Sequence, residues 1–198
     1  MTSDSRLKLK NLHLKGFKSI SSEGEDIAFN DVTVLLGANG AGKSNLVSFF
    51  SLINHMTSGA LQNWVAKNGF ANSILFYGIK NTTRLEALLH FESDQVEDKY
   101  EFILSHAAGD NMIINEEKIY FRNKSRAAPY VKTLDFGVKE STLSTKLQNT
   151  KENQTAIVLS RILRSCRVFQ FHDTSPTAYV RNKSYIEDGR YLKSDGGN

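Results

Sequence analysis

Cysteine is almost missing from this chain. Cys166 stands alone among 198 residues, so no internal disulfide and no cysteine-rich zinc site can form. A lone thiol of this kind reads as a small buried apolar residue. Proline occurs only twice, and no Gly/Ser tract divides the sequence; one domain, or one large lobe, is expected. No run approaches the roughly 20 apolar residues that cross a bilayer. The opening MTSDSRLKLK has no apolar stretch suited to a signal peptide. These absences point to a cytoplasmic protein with no membrane partner. A dominant charge is lacking too: 25 basic against 21 acidic residues leave a net +4, too little to imply nucleic acid by itself. His13, His55, His90, His106 and His172 lack metal-ligand spacing. Ser160 and Ser165 have no G-x-S-x-G setting, which speaks against a hydrolase triad.

What is present is an ordinary apolar content, 40% of the residues, patterned in three ways. Residues 7–20 alternate, with a phase shift near Asn11 that predicts a strand with a bulge. Residues 25–29 predict a short second strand. VTVLL at 32–36 is a continuous β-branched run, which predicts a strand buried on both faces as in a parallel sheet. Leu46, Phe49, Phe50, Ile53 and Met56 then keep helical spacing over 43–56, and Gly59 should end that helix. A short helix over 60–68 should carry Trp64. From 82 to 122 the period drops to two, predicting an antiparallel meander. Residues 124–150 are polar and give no clear element. A helix is expected over 153–165 and a strand over 167–171. Trp64, Phe70, Phe76 and Tyr77 read as core or seam residues. Arg161, Arg164 and Arg167 fall every third residue and read as a basic stripe or a solvated helix end.

The chemistry sits in GANGAGKS, residues 37–44, which fits G-x-x-x-x-G-K-[ST]. Glycines let the backbone N–H groups converge on phosphate oxygens, and the helix that follows points its positive end at the same anion. Lys43 would reach the β- and γ-phosphates, and the Ser44 hydroxyl would ligate magnesium. The motif lies between a predicted buried strand and a predicted helix, as this mechanism requires. Without ligand, Lys43 is expected to project into solvent, so Lys43→Ala should remove nucleotide binding and leave the fold intact.

GANGAGKSNL, preceded by LKNLHLKGFKSI, resembles the N-terminal lobe of the ABC-type ATPases of the SMC, RecF and OLD group. FHDTSPTAYVR at 171–181 and the terminal DGGN are similar to bacterial RecF-like ATPases of the AAA family. The resemblance implies an α/β fold: a P-loop NTPase head lobe, with a mixed sheet around the P-loop helix and an antiparallel β subdomain. The whole of 1–198 would be the N-terminal part of one ATPase domain. Residues 6–59 would supply strands, P-loop and first helix, 82–122 the antiparallel subdomain, and 153–198 a helix, a strand and the start of a second lobe. It implies ATP and Mg2+ as ligands. Gly37, Asn39, Gly40, Ala41, Gly42, Lys43, Ser44 and Asn45 would bind the nucleotide, with Lys18 and Ser19 of the opening turn nearby. Gln170 is a candidate for the glutamine that touches magnesium, with His172 and Asp173 as alternatives.

The family's apolar run ending in Asp-Glu, which holds magnesium and polarises the attacking water, has no counterpart here, nor does an LSGG-like signature. The resemblance therefore implies the front half of a larger ATPase. It would bind ATP alone and hydrolyse it when completed by a second lobe or a homodimer partner. DNA and a nuclease are implied partners, and DNA repair or anti-phage defence the setting. The alternative is a nucleotide-binding regulatory module that does not hydrolyse. A GTPase is disfavoured because no N-K-x-D motif occurs, and the long meander disfavours a compact kinase.

Overall fold

The computed structural model describes residues 6–126 and 128–169. Its frame is one six-stranded antiparallel sheet in the order β2-β1-β3-β4-β5-β6. The strands are β1 (Lys8–Lys15), β2 (Glu25–Ala28), β3 (Arg84–Glu92), β4 (Val96–Ala107), β5 (Asn111–Asn123) and β6 (Tyr130–Asp135). Between β2 and β3 lie α1 (Lys43–Thr57), α2 (Leu61–Lys67) and α3 (Phe70–Ile74), and α4 (Gln154–Ser165) follows the sheet.

The period-two pattern explains the sheet's two faces. Leu85, Ala87, Leu89 and Phe91 of β3 are buried. They stand opposite Leu104, Phe102, Tyr100 and Asp98 of β4. Leu12 and Leu14 of β1 extend the same face. The other face carries ion pairs instead: Arg122 of β5 reaches Glu97 of β4 at 3.7 Å, and Lys99 meets it along the same strand at 3.2 Å. A sheet covered on one side only is what such alternation produces. The phase shift near Asn11 is a true irregularity: β1 slips register against β3 between Leu9 and Asn11.

The helices cover the apolar face. Leu46, Phe49, Leu52, Ile53 and Met56 of α1 are all buried. Phe49 stacks on Phe102 of β4 at 6.3 Å and meets Phe17 edge-on at 5.9 Å. Ala156, Leu159 and Leu163 of α4 join the same core. One buried carboxylate interrupts it. Glu117 of β5, opposite Phe102, accepts from the Tyr100 hydroxyl at 2.6 Å, from the Ser141 hydroxyl and from Thr142 N–H at 3.1 Å. Burial pushes its pKa up, and these donors oppose that rise.

Two expectations need correction. Residues 32–36 form no strand: Val32, Val34 and Leu36 are 81%, 72% and 90% exposed. A run apolar on both faces needs sheet neighbours on both edges. Among the described residues no strand lies beside it, and β2 ends the sheet. The sheet is consequently antiparallel throughout, with no parallel pair at the P-loop. Arg167–Phe169, the described part of the strand expected at 167–171, lies in no strand among the described residues, and 170–171 lie outside them. Conversely, the polar stretch 124–150 supplies β6 and one short 3-10 turn, Thr142–Ser144.

Candidate functional site

The segment after Ala28 leads into the glycine-rich loop, and α1 begins directly at Lys43. Gly42 is the N-cap residue, with φ 87, a left-handed conformation open to glycine. A Cβ there would lie 3.0 Å from the Ser19 hydroxyl, so the position also needs to be small.

The start of α1 is left uncapped. No side chain bonds to the cap and no acidic residue lies in the first turn. Asn45 and Leu46 N–H donate back to the Gly42 carbonyl at 2.9 and 3.2 Å. The N–H groups of Lys43 and Ser44 meet no acceptor among the described residues. A helix of 15 residues thus presents free donors and the positive end of its dipole, with no carboxylate competing for them.

Lys43 does not project into solvent. Its ammonium folds back over the loop and donates to the Gly37 carbonyl at 2.6 Å and the Ala38 carbonyl at 2.7 Å. The charge is therefore held over the same concavity that the N–H groups line. Those two carbonyls carry only partial negative charge, so they are weaker electrostatic partners for the ammonium than a phosphate oxygen bearing a full charge. Leu35, Asn39, Gly40, Gly42, Lys43 and Ser44 line a cavity of about 940 Å³. Among the described residues no aspartate or glutamate lines it.

The opening turn is bound to this site. Gly16, at φ 67, has no room for a side chain, because a Cβ would lie 2.4 Å from the Arg84 carbonyl. That close approach aims residues 17–20 at α1. The Ser19 hydroxyl accepts from Asn45 Nδ2 at 2.8 Å. The Lys18 ammonium donates to Ser48 Oγ at 2.8 Å and lies over the Phe17 and Trp64 rings at 5.7 and 5.9 Å. Partial burial lowers the Lys18 pKa. Lys18, Ser19 and Asn45 are thus brought together with Gly42 and Lys43, although 19 and 45 are 26 residues apart.

Other sequence candidates fare differently. Gln170, His172 and Asp173 lie outside the described residues. Among the described residues no cluster of three or more metal-ligating side chains occurs, and no helix is long and apolar enough to cross a membrane. Arg164 is committed to the fold, since its guanidinium donates to the Leu143 and Ser144 carbonyls at 3.1 and 2.9 Å; it is unavailable to a basic stripe. Trp64 is a core residue at 3% exposure, whereas Tyr77, read as core or seam from sequence, is 78% exposed. Tyr77 lines a second cavity with Lys18, Ser19 and Asn45. The aromatic pair Phe76–Tyr77 followed by Gly78 was the signal for a turn there.

A family profile for the AAA domain matches residues 11–193. The chain belongs to the AAA domain family. That match runs from β1 through the P-loop, the meander and α4. No curated protein matches the sequence. Among solved structures, an SMC ATPase described for ATP-driven dimerization and DNA-stimulated activation is similar, with 19% identity and a TM-score of 0.41 over 85% of this chain and 92% of that one.

Proposed function

We propose that this AAA-family chain binds ATP with magnesium through residues 37–45, as part of an ATPase. The observation that carries the reading is local. Among the described residues, the N–H groups of Lys43 and Ser44 meet no acceptor, and with the Lys43 ammonium they converge on one concavity lined by no acidic residue. An oxyanion with several oxygens satisfies all of these groups at once. In that geometry the loop amides bind phosphate oxygens, Lys43 leaves the Gly37 and Ala38 carbonyls for the terminal phosphates, and Ser44 supplies a hydroxyl ligand to the metal. The donor set suits a hard cation held chiefly by phosphate, because among the described residues the loop adds only the Ser44 hydroxyl.

Hydrolysis is proposed for a completed head, with a second lobe or a homodimer partner adding the acid that polarises water. Exposure of Val32, Val34 and Leu36 beside the loop supports a further lobe covering that run. DNA and a nuclease as partners, and a role in DNA repair or anti-phage defence, follow from the resemblance to the SMC, RecF and OLD group. The second reading, a regulatory module that holds ATP without turnover, is favoured by the lack of a described carboxylate in the cavity.

Titration with labelled Mg-ATP tests the site. Lys43→Ala should weaken binding about ten- to hundredfold, the equivalent of one charge-assisted contact of about 1.5–3 kcal/mol. Equal affinity for variant and parent would refute the assignment. Phosphate release by the chain alone should stay at background. Robust turnover that Lys43→Ala abolishes would show that the chain already holds its catalytic acid.

A further inference from the structure

Two cavities meet at Asn45. One contains Lys43 and the P-loop; the other, about 620 Å³, is lined by Lys18, Ser19, Asn72, Phe76 and Tyr77. The second is within the roughly 300–1,000 Å³ of small-molecule pockets. Its walls hold two of the four non-glycine residues with positive φ among the described residues, Lys18 at 49° and Tyr77 at 51°. Bulky residues rarely adopt that conformation, and where they do the surroundings must enforce it. Here the two turns enforce each other. Lys18 N–H donates to the Ile74 carbonyl at 2.8 Å, and Phe76 N–H to the Gly16 carbonyl at 3.1 Å. Asn81 Nδ2 holds the Tyr77 carbonyl at 2.8 Å. The Phe76 ring braces the Tyr77 ring edge to face at 4.5 Å. The result is a large aromatic fixed in place yet 78% exposed, at the mouth of a cavity that begins where the P-loop helix makes its first turn.

We propose that Tyr77 is the stacking platform for the base of the bound nucleotide. This rests on the phosphate reading of the P-loop and extends it. Lys43 takes the terminal phosphates, so the nucleoside end of the ligand leaves the loop past Ser44 and Asn45. Asn45 is the wall shared with the Tyr77 cavity. The Asn45 amide donates to Ser19, which seats the opening turn along that route. Stacking on an aromatic ring needs no fixed pattern of hydrogen-bonding groups on the base. The platform therefore adds affinity for any nucleoside triphosphate over a bare polyphosphate.

The test compares Mg-ATP with magnesium tripolyphosphate, which has the phosphates but no base, on the full chain by calorimetric titration. Tyr77→Ala should weaken ATP about tenfold and leave tripolyphosphate unchanged, while Tyr77→Phe should bind both as the parent does. Lys43→Ala should weaken both ligands. Unchanged ATP affinity in Tyr77→Ala, or equal weakening of both ligands, would overturn the platform while leaving the P-loop reading intact. If Tyr77→Ala fails to fold, a Tyr77→Phe that binds as the parent, together with Tyr77→Leu that loses ATP only, carries the proposal, and Tyr77→Leu with parental ATP affinity overturns it. Failure of the parent to bind either ligand would refute the phosphate reading, and the platform with it.

Discussion

The meander and the segment before the glycine-rich loop both carry many apolar residues and meet opposite fates. In β3 and β4 every second residue is buried, and each finds a cross-strand partner within the described chain. In residues 32–36 the apolar side chains are adjacent in sequence, and Val32, Val34 and Leu36 stay in solvent. Alternation lets a strand bury one face and solvate the other with only its neighbours' help. A run apolar on both faces requires neighbours that the described sheet does not offer. The comparison therefore separates a self-sufficient scaffold from an exposed apolar run, with the glycine-rich loop between them.

That contrast can be broken most forcefully from the scaffold side. Phe49→Ala removes a ring packed against Phe17, Phe50 and Phe102. It should cost about 3–5 kcal/mol in chemical denaturation. A loss below about 1 kcal/mol would mean that α1 does not pack on the sheet as described.

The next effect depends on pH. Asp98 faces the core at 2% exposure, and one of its carboxylate oxygens lacks a partner among the described residues. Burial raises its pKa from 3.8 to about 6. A raised acid binds its proton more tightly folded than unfolded, so it weakens stability as pH climbs through that window. Asp98→Asn should stabilise the protein by up to about 3 kcal/mol above pH 6, with the gain fading towards pH 4. A gain that grows on acidification would contradict the burial.

Smaller effects sharpen the contrast. The Glu140 carboxylate accepts from the N–H groups of Leu61 and Gln62 at 2.9 and 3.1 Å, capping α2 from 79 residues away. Glu140→Ala should cost about 1 kcal/mol, read as a shift in the denaturation midpoint. At the bottom of the scale, Val34→Ser and Leu36→Ser should each change stability by less than about 0.5 kcal/mol. A large loss would mean that the run is already packed in this chain.

The same physics decided what could be read from sequence. The meander, α1 and α4 were legible because their periodicity records which face each residue buries. The place of the glycine-rich loop was legible because helical spacing from Leu46 follows directly on Gly42, which caps α1; phosphate binding there is the proposal. Residues 124–150 were not, since their order comes from distant partners: Glu117 holds Ser141 and Thr142, and Arg164 holds the 143–144 carbonyls. Tyr77 was misread because its aromatic character outweighed Gly78, the neighbour that marks the backbone turn carrying its ring outward. Lys43 was misplaced for a different reason: the loop's own carbonyls could not be located before the loop was folded.

The most direct test is to follow backbone amide resonances while Mg-ATP is added to the 198-residue chain. The amides of Gly40, Gly42, Lys43 and Ser44 should shift together and saturate, while those in the middle of β3, β4 and β5 stay still. Saturating shifts confined to the sheet, or none in the loop at millimolar ligand, would contradict the account.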